Sequence, residues 1–579
     1  MKVSRLSPNL LYHFIFLLLA VAAVLFYQER LFVDSSYYIF KSINEGWFHI
    51  EHGRSVLALS QIAPLLGKAL AFSLKTLLIM YSLGQIVFFY LIFLLMQHHL
   101  KVHWAGVAIL SLLLIAQKWL FFIPMLEISW GALLAILVLG IMRYDRYHDD
   151  KWLLIMLFSW WFVLTSHPLN YLLSGLILAY DVYDRGVIKR VHYSLFGFFL
   201  ASLFLELIGS DTYENQKIVD LQDSMFGLII EPAFLKAVFQ LLVVKYWLPF
   251  LLGVIASIQF LRRKRWLAAL AWPTSIGLIL AAALYRWDIS QDDWYTEVIL
   301  QPMIGISLLL FTFSHLERFS PHQIRRFQWA YGFLLLGYSV SIFYWAKPRQ
   351  QRTAHIERAT LSADFQKAIV STENFQRDYH QLEWSMPVEA LLISACKGAD
   401  KTVSLITELD MAYDNHRAFL HDSSFVFRRF ERMPYAALDK EYFHLKKGNY
   451  QSLNSVGGAV SLKGKADQIT ISPLIDKALK VPSAETTWVD VKLVNQTDLI
   501  MPSKLNTELS LAAHWYHQDT LYRWDGPRTL LLADCRDSLI QDMRLLAPEE
   551  KGIYEVQFDI VKEKAFWLGL KEKFTVQVY

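Results

Sequence analysis

From Leu10 to Trp345 the chain is a succession of apolar runs of about 17 to 25 residues, and beyond Lys347 no such run occurs. A run of that length covers the roughly 30 Å hydrocarbon core of a bilayer as a helix. The pattern therefore predicts a multi-span α-helical membrane part followed by a water-soluble part. Marking spans at 10–27, 75–97, 104–121, 128–142, 152–166, 168–183, 193–209, 241–261, 266–285, 297–314 and 328–346 gives about eleven transmembrane helices. The first run follows Lys2 and Arg5. It is read as an uncleaved anchor rather than a signal peptide, because small residues at Ala20–Ala23 lie inside the run.

Loop charges orient the chain. With the N-terminus cytoplasmic, "HHLKVH", "RYDRYHDDK", "YDRGVIKRVH", "RRKR" and "HLERFSPHQIRRF" become inside loops. They hold most of the arginine and lysine of this part, as the positive-inside rule requires. An odd number of crossings then puts the C-terminal part outside, which in a bacterium is the periplasmic side of the inner membrane. The net charge of +4 comes with no basic stripe, so nucleic acid is not an expected partner. No Walker loop, dinucleotide fingerprint, serine elbow or zinc motif occurs.

The sequence divides into a membrane domain over 1–346, a mixed α/β region over 347–455 and a β-sandwich over 456–579. The middle region contains a helical pattern, "ATLSADFQKAIVSTENF". In the last region "TTWVDVKLVNQTD", "LSLAAHWYH", "GIYEVQFDIV" and "FTVQVY" alternate apolar and polar residues as strands do. The two cysteines, Cys396 and Cys535, allow at most one disulfide.

Polar groups that hydrocarbon would reject mark the chemistry of a multi-span protein. Asp34, just beyond the first span in an aromatic loop, is a candidate general base if partly desolvated. It is equally an N-cap for "SSYYIFKSI" or a solvated loop residue. "IEHGR" places Glu51, His52 and Arg54 within five positions, suited to gripping a phosphate or a sugar hydroxyl, or to a capped turn before the next helix. His167, before Pro168, is a proton carrier, an anion ligand or a packed turn residue. Lys118, Lys245 and Arg286 sit at outer span ends, to meet a lipid phosphate or to snorkel toward head groups. Glu297 falls on the same side.

The layout of a short tail, a first span, a long loop opening with an acid ("ERLFVDSSYYIFKSINEGWF"), further spans and a soluble C-terminal part resembles the GT-C superfamily. Within that superfamily it is similar to the protein mannosyltransferase and aminoarabinose transferase types. The resemblance implies an inverting glycosyltransferase that moves a sugar from a polyprenyl-phosphate donor to a glycan, lipid or protein acceptor of the cell envelope. It also implies that Asp34 is the catalytic base. Ser35 and Ser36 stand where many members carry a second acid. The resemblance requires no cofactor, and it leaves a divalent metal open without a D-x-D motif to support it. The last hundred residues are similar to a carbohydrate-binding-type β-sandwich through Asn495, Trp515, Asp525, Gly526, Arg528, Pro548, Gly552, Tyr554 and Trp567. The alternative function is a glycolipid-binding or transport protein without catalysis.

Overall fold

The computed structural model describes residues 8–115, 118–209, 240–284, 293–361, 366–370, 384–407, 424–428, 431–448, 450–452, 465–474, 479–497, 501, 509–531, 535, 537–562 and 566–579. It forms two compact units, Met1–Ala354 and His355–Tyr579.

The first unit is helical. In chain order it contains α1 (Pro8–Leu25), α2 (Asp34–Glu45), α3 (Leu57–Ala69), α4 (Leu74–Leu94), α5 (Ala105–Leu114), α6 (Glu127–Arg143) and α7 (Asp150–Leu164). It continues through α8 (Leu169–Arg185), α9 (Arg190–Gly209), α10 (Trp247–Arg262), α11 (Trp266–Leu284), α12 (Asp293–Ser314) and α13 (Pro321–Leu361).

These helices correct the expectation of eleven crossings. Among the described residues only α1 and the stretch Leu74–His99 are long and apolar enough to cross a membrane, by length and composition alone. At 1.5 Å per residue a crossing needs about 20 helical residues. The apolar run at 104–121 instead divides into α5, of 10 residues, and a short 3₁₀ turn at Leu120–Phe122. α6 has 17 residues and is buried on every side from Glu127 to Met142. A helix apolar all round is what a helical core requires, so the same composition serves burial among helices. α13 carries Arg325, Arg326, Arg349 and Arg352 along its 41 residues.

Close helix approaches depend on glycine. A Cβ on Gly131 of α6 would lie 2.2 Å from Ser166 Oγ and 2.3 Å from Asn170 Nδ2. At one end of α6 and α8 an ion network ties several helix ends together. Arg143 binds Asp181 at 3.2 Å, Asp184 at 2.9 Å and Glu317 at 2.5 Å. Asp181, 1 % exposed, also meets Arg185 and His192, each at 3.0 Å. Arg265 binds Asp184 at 2.6 Å. Burial pushes the Asp184 carboxyl up, but the hydrogen bonds from Arg265 and Arg143 outweigh it and hold the group below the usual range.

In the second unit, β1 (Lys367–Val370), α14 (Met386–Ala395) and β2 (Ser404–Thr407) precede the hairpin β3 (Ser424–Arg428) and β4 (Glu431–Pro434), and then β5 (Gln451–Ser452). β1 pairs in parallel with β2 and β5, giving the order β2-β1-β5. The "QKAIV" segment expected to be helical thus forms a strand. All four residues of β1 are buried, and an Ala-Ile-Val run fits a two-sided parallel sheet.

The rest is β: β6 (Ile469–Pro473), β7 (Leu479–Val481), β8 (Thr486–Asn495), β9 (Leu509–His517), β10 (Thr520–Arg523), β11 (Thr529–Leu530), β12 (Ser538–Leu546), β13 (Gly552–Lys562), β14 (Phe566–Trp567) and β15 (Lys573–Val578). One sheet follows β10-β9-β13-β15-β7, the other β12-β8-β6, and both contribute to a single apolar core. Alternating burial along β8 and β12 places Val489, Val491 and Leu493 opposite Met543, Gln541 and Leu539. Trp515 and Tyr554 meet edge to face in that core at 6.0 Å. Asn495 Nδ2 donates to Cys535 O at 3.0 Å. Cys396 and Cys535 are not joined to each other, so the one disulfide allowed by the sequence is not formed.

Candidate functional site

The site begins where α1 ends. A 3₁₀ turn at Glu29–Leu31 carries Arg30, which is fully buried. Its Nη2 donates to Gln85 Oε1 on α4 at 2.6 Å, and its guanidinium lies 4.2 Å from the centre of the Phe121 ring. Nε and Nη1 have no hydrogen-bond partner. Burial pushes the guanidinium down to about 9, which leaves it cationic at neutral pH.

Val33 then takes φ +54° and ψ −124°, a backbone region that suits glycine, before the chain enters α2 at Asp34. Ser36 Oγ donates to Val33 O at 2.7 Å and fixes this turn. Asp34 is therefore the first residue of α2, not its N-cap, and its carboxylate stands in the first turn of a helix, where a negative charge is favoured. It is half-buried.

Two expected site residues, Glu51 and Arg54, act with Asp34 on Tyr38 of α2, and His52 lies between them in sequence. Arg54 N donates to Glu51 O at 3.0 Å, closing a turn whose central residues, His52 and Gly53, have φ +51° and +67°. His52 is exposed at the turn apex, while Glu51 and Arg54 are half-buried. Glu51 accepts hydrogen bonds from Tyr37 Oη and, at 3.4 Å, from Tyr38 Oη. His49 Nε2 lies 3.2 Å from Glu51, and its Nδ1 lies 3.2 Å from Glu45. Gln61 on α3 holds the His49 backbone at both its N–H, 2.7 Å, and its carbonyl, 2.8 Å. Arg54 forms an ion pair with Glu127, the buried first residue of α6.

The electrostatics tie these groups to Asp34. Burial raises the Tyr38 phenol far above its ordinary range, and the carboxylates of Glu127, Asp34 and Glu51 push it further, with Arg54 opposing. For His49, burial disfavours the imidazolium, but the hydrogen bond with Glu51 and the charge of Glu45 outweigh it and raise its proton affinity. Arg30, Ser35 and Asp34 all act on the Tyr81 side chain of α4.

Two residues before Asp34, Phe32 opens an aromatic shelf. Phe32 stacks on Trp119 with ring centres 5.7 Å apart. The buried Arg349 of α13 lies 4.5 Å from the Trp119 ring centre and 4.1 Å from that of Phe122. Lys118 Nζ is 5.4 Å from both the Trp119 and Trp345 rings, and Arg352 is 5.9 Å from Phe32. Cations over aromatic faces keep their charge while shedding water, which readies them for an anion.

His167 is half-buried in the turn between α7 and α8. Its Nδ1 accepts from Leu169 N at 3.2 Å at the start of α8. The turn still adjoins the site, because Thr165 Oγ1 hydrogen-bonds Ser55, next to Arg54. Lys245 ends a π-helical turn at Leu241–Lys245, and Glu297 lies on α12; both side chains are outside the described residues, as is the whole of Arg286. The sequence reading passed over Arg30, Tyr37, Tyr38, Gln61, Gln85, Arg349 and Arg352 as site residues. Gln61 and Gln85 had a signal, since each is an amide within an otherwise apolar helix.

The arrangement combines one helix-terminal carboxylate, a basin of acids and phenols, and a set of cations on rings, of which Arg30, Arg349 and Arg352 are buried. Among the described residues no three His, Cys, Asp or Glu side chains come together to hold a metal ion. No family model matches the chain, and no curated protein matches it.

Proposed function

We propose that the protein transfers a sugar from a lipid-phosphate-linked donor to an acceptor hydroxyl. The observation that carries this reading is that Asp34 shares its charge field on Tyr38 with Glu51 and Arg54, and on Tyr81 with the buried cation Arg30. A general base needs a carboxylate that can reach a hydroxyl, and a phosphate leaving group needs cations with spare donors. Asp34 accepts the acceptor hydroxyl's proton as its oxygen attacks the anomeric carbon. The bond from that carbon to the phosphate oxygen breaks, and the departing phosphate takes the electron pair. Arg30, whose Nε and Nη1 carry no hydrogen bond, and the cations of the shelf oppose the charge that develops there. Attack from the face opposite the leaving group inverts the anomeric centre. Tyr37, Tyr38 and Glu51 supply donors and acceptors of the kind that orient sugar hydroxyls.

The test supplies the purified chain with polyprenyl-phosphate sugars labelled in the sugar and follows release of the lipid phosphate. Asp34→Asn should abolish transfer while leaving donor binding and folding intact. Undiminished transfer by that variant removes Asp34 from the reaction.

A further inference from the structure

The helical unit carries a second charged cluster, away from Asp34. α8 begins beside the Asp34 site, through the contact of Thr165 with Ser55, and Asp184 stands near its other end, roughly 20 Å away at 1.5 Å per residue. Three guanidiniums gather there from two separate turns. Arg265, in the turn between α10 and α11, donates to Asp184 Oδ1 at 2.6 Å. Arg318, which ends the 3₁₀ turn Leu316–Arg318 between α12 and α13, comes only within 3.9 Å of the same oxygen. That separation is beyond hydrogen-bonding distance, and the Arg318 side chain is 42 % exposed, so its donors stand open. Arg263 is half-buried, and its guanidinium makes no hydrogen bond or ion pair among the described residues.

Asp184 cannot balance this group. Its other oxygen already binds Arg143 at 2.9 Å, so one committed carboxylate faces three further guanidiniums. The cations feel one another: burial and the charges of Arg318 and Arg265 depress the proton affinity of Arg263, with Tyr180 opposing. The surplus charge is positive, and the partner that removes its cost is an anion. Guanidiniums reaching in from different turns suit an anion with oxygens on several sides. A carboxylate has only two oxygens, in one plane, whereas a phosphate monoester has about three strong acceptors and nearly two charges.

We infer that Arg263, Arg265 and Arg318 bind a phosphate monoester. Arg263 and Arg318 supply the open donors, and Arg265, held by Asp184, fixes the third side. The group is supplied either by a soluble phosphate ester or by the head of a monoester phospholipid, whose chains have the exposed Trp266, Leu267 and Leu270 of α11 beside them.

The test titrates the full chain, in maltoside micelles, with glycerol phosphate and with acetate by calorimetry. A second arm compares its thermal unfolding in phosphatidylcholine vesicles carrying phosphatidic acid with vesicles carrying phosphatidylglycerol at equal surface charge. Glycerol phosphate should bind at least about tenfold more tightly than acetate, the worth of one charge-assisted hydrogen bond. If the soluble ester fails but phosphatidic acid raises the unfolding midpoint above that in phosphatidylglycerol, the lipid head is the source. Arg263→Gln and Arg318→Gln should each weaken binding about tenfold in the arm that responds. Without ligand, Arg263→Gln should unfold at or above the wild-type midpoint, because it relieves repulsion and breaks no ion pair. Equal binding of acetate, unchanged binding by both folded variants, or no response in the first arm together with equal midpoints in the second overturns the inference.

Discussion

Arg30 Nη2 and Gln85 Oε1 meet at 2.6 Å across 55 residues of sequence, and the same guanidinium leaves Nε and Nη1 without partners. Folding does not require a cation there, because a buried charge with unused donors costs more than an apolar side chain of similar size. The double variant Arg30→Met with Gln85→Leu should therefore unfold at or above the wild-type denaturant midpoint, by up to about 3 kcal/mol. It should also lose sugar transfer. A large drop in stability would make the pair structural.

Val33 holds a conformation suited to glycine while its side chain is fully buried. Val33→Ala loses most of the packing and keeps the strain, whereas Val33→Gly relieves it. The glycine variant should be more stable than the alanine variant by about 1–2 kcal/mol, the reverse of the usual order. Thermal unfolding of the two variants side by side tests this.

His49 has a proton affinity raised by Glu51 and Glu45. A raised folded-state value means that the imidazolium contributes stability fully below the unfolded value of about 6.5 and loses it as pH rises through the folded value. The gap in melting temperature between wild type and His49→Gln should accordingly be widest at acidic pH and narrow toward alkaline pH. A gap independent of pH would sink the assignment.

Gly131 allows α6 to lie against Ser166 and Asn170. Gly131→Ala forces the helices apart and should cost about 1–3 kcal/mol, read as a fall in the unfolding midpoint. Because Ser166 lies beside the Thr165 contact to Ser55, transfer should also decline.

Asp181 is the buried centre of the ion network. Asp181→Asn leaves Arg143 and Arg185 short of a carboxylate and should cost about 3–5 kcal/mol in chemical denaturation. A change below about 1 kcal/mol would place it with ordinary surface pairs.

The β half was the most legible part. "LSLAAHWYH" is β9 residue for residue, and "GIYEVQFDIV" lies within β13. A period of two is local, so it survives without knowledge of what covers the strand. The "QKAIV" segment was misread because a short apolar run has no period of its own, and its parallel partners β2 and β5 lie 37 and more residues downstream.

The apolar runs alone foretell helices through most of the described residues of 10–345, and the acids and histidines of 34–54 stand together in the sequence. The packed fold was needed to separate the two apolar helices long enough to cross a membrane from the shorter ones among the described residues. Composition is the same for lipid and for protein interior, and length and neighbours separate them. It also decided the site. Asp34 and Glu51 are 17 positions apart, at the start of α2 and beyond its end, but Gln85 and Phe121 reach Arg30, Glu127 reaches Tyr38 and Arg349 reaches Trp119 only because segments far apart in the chain pack side by side.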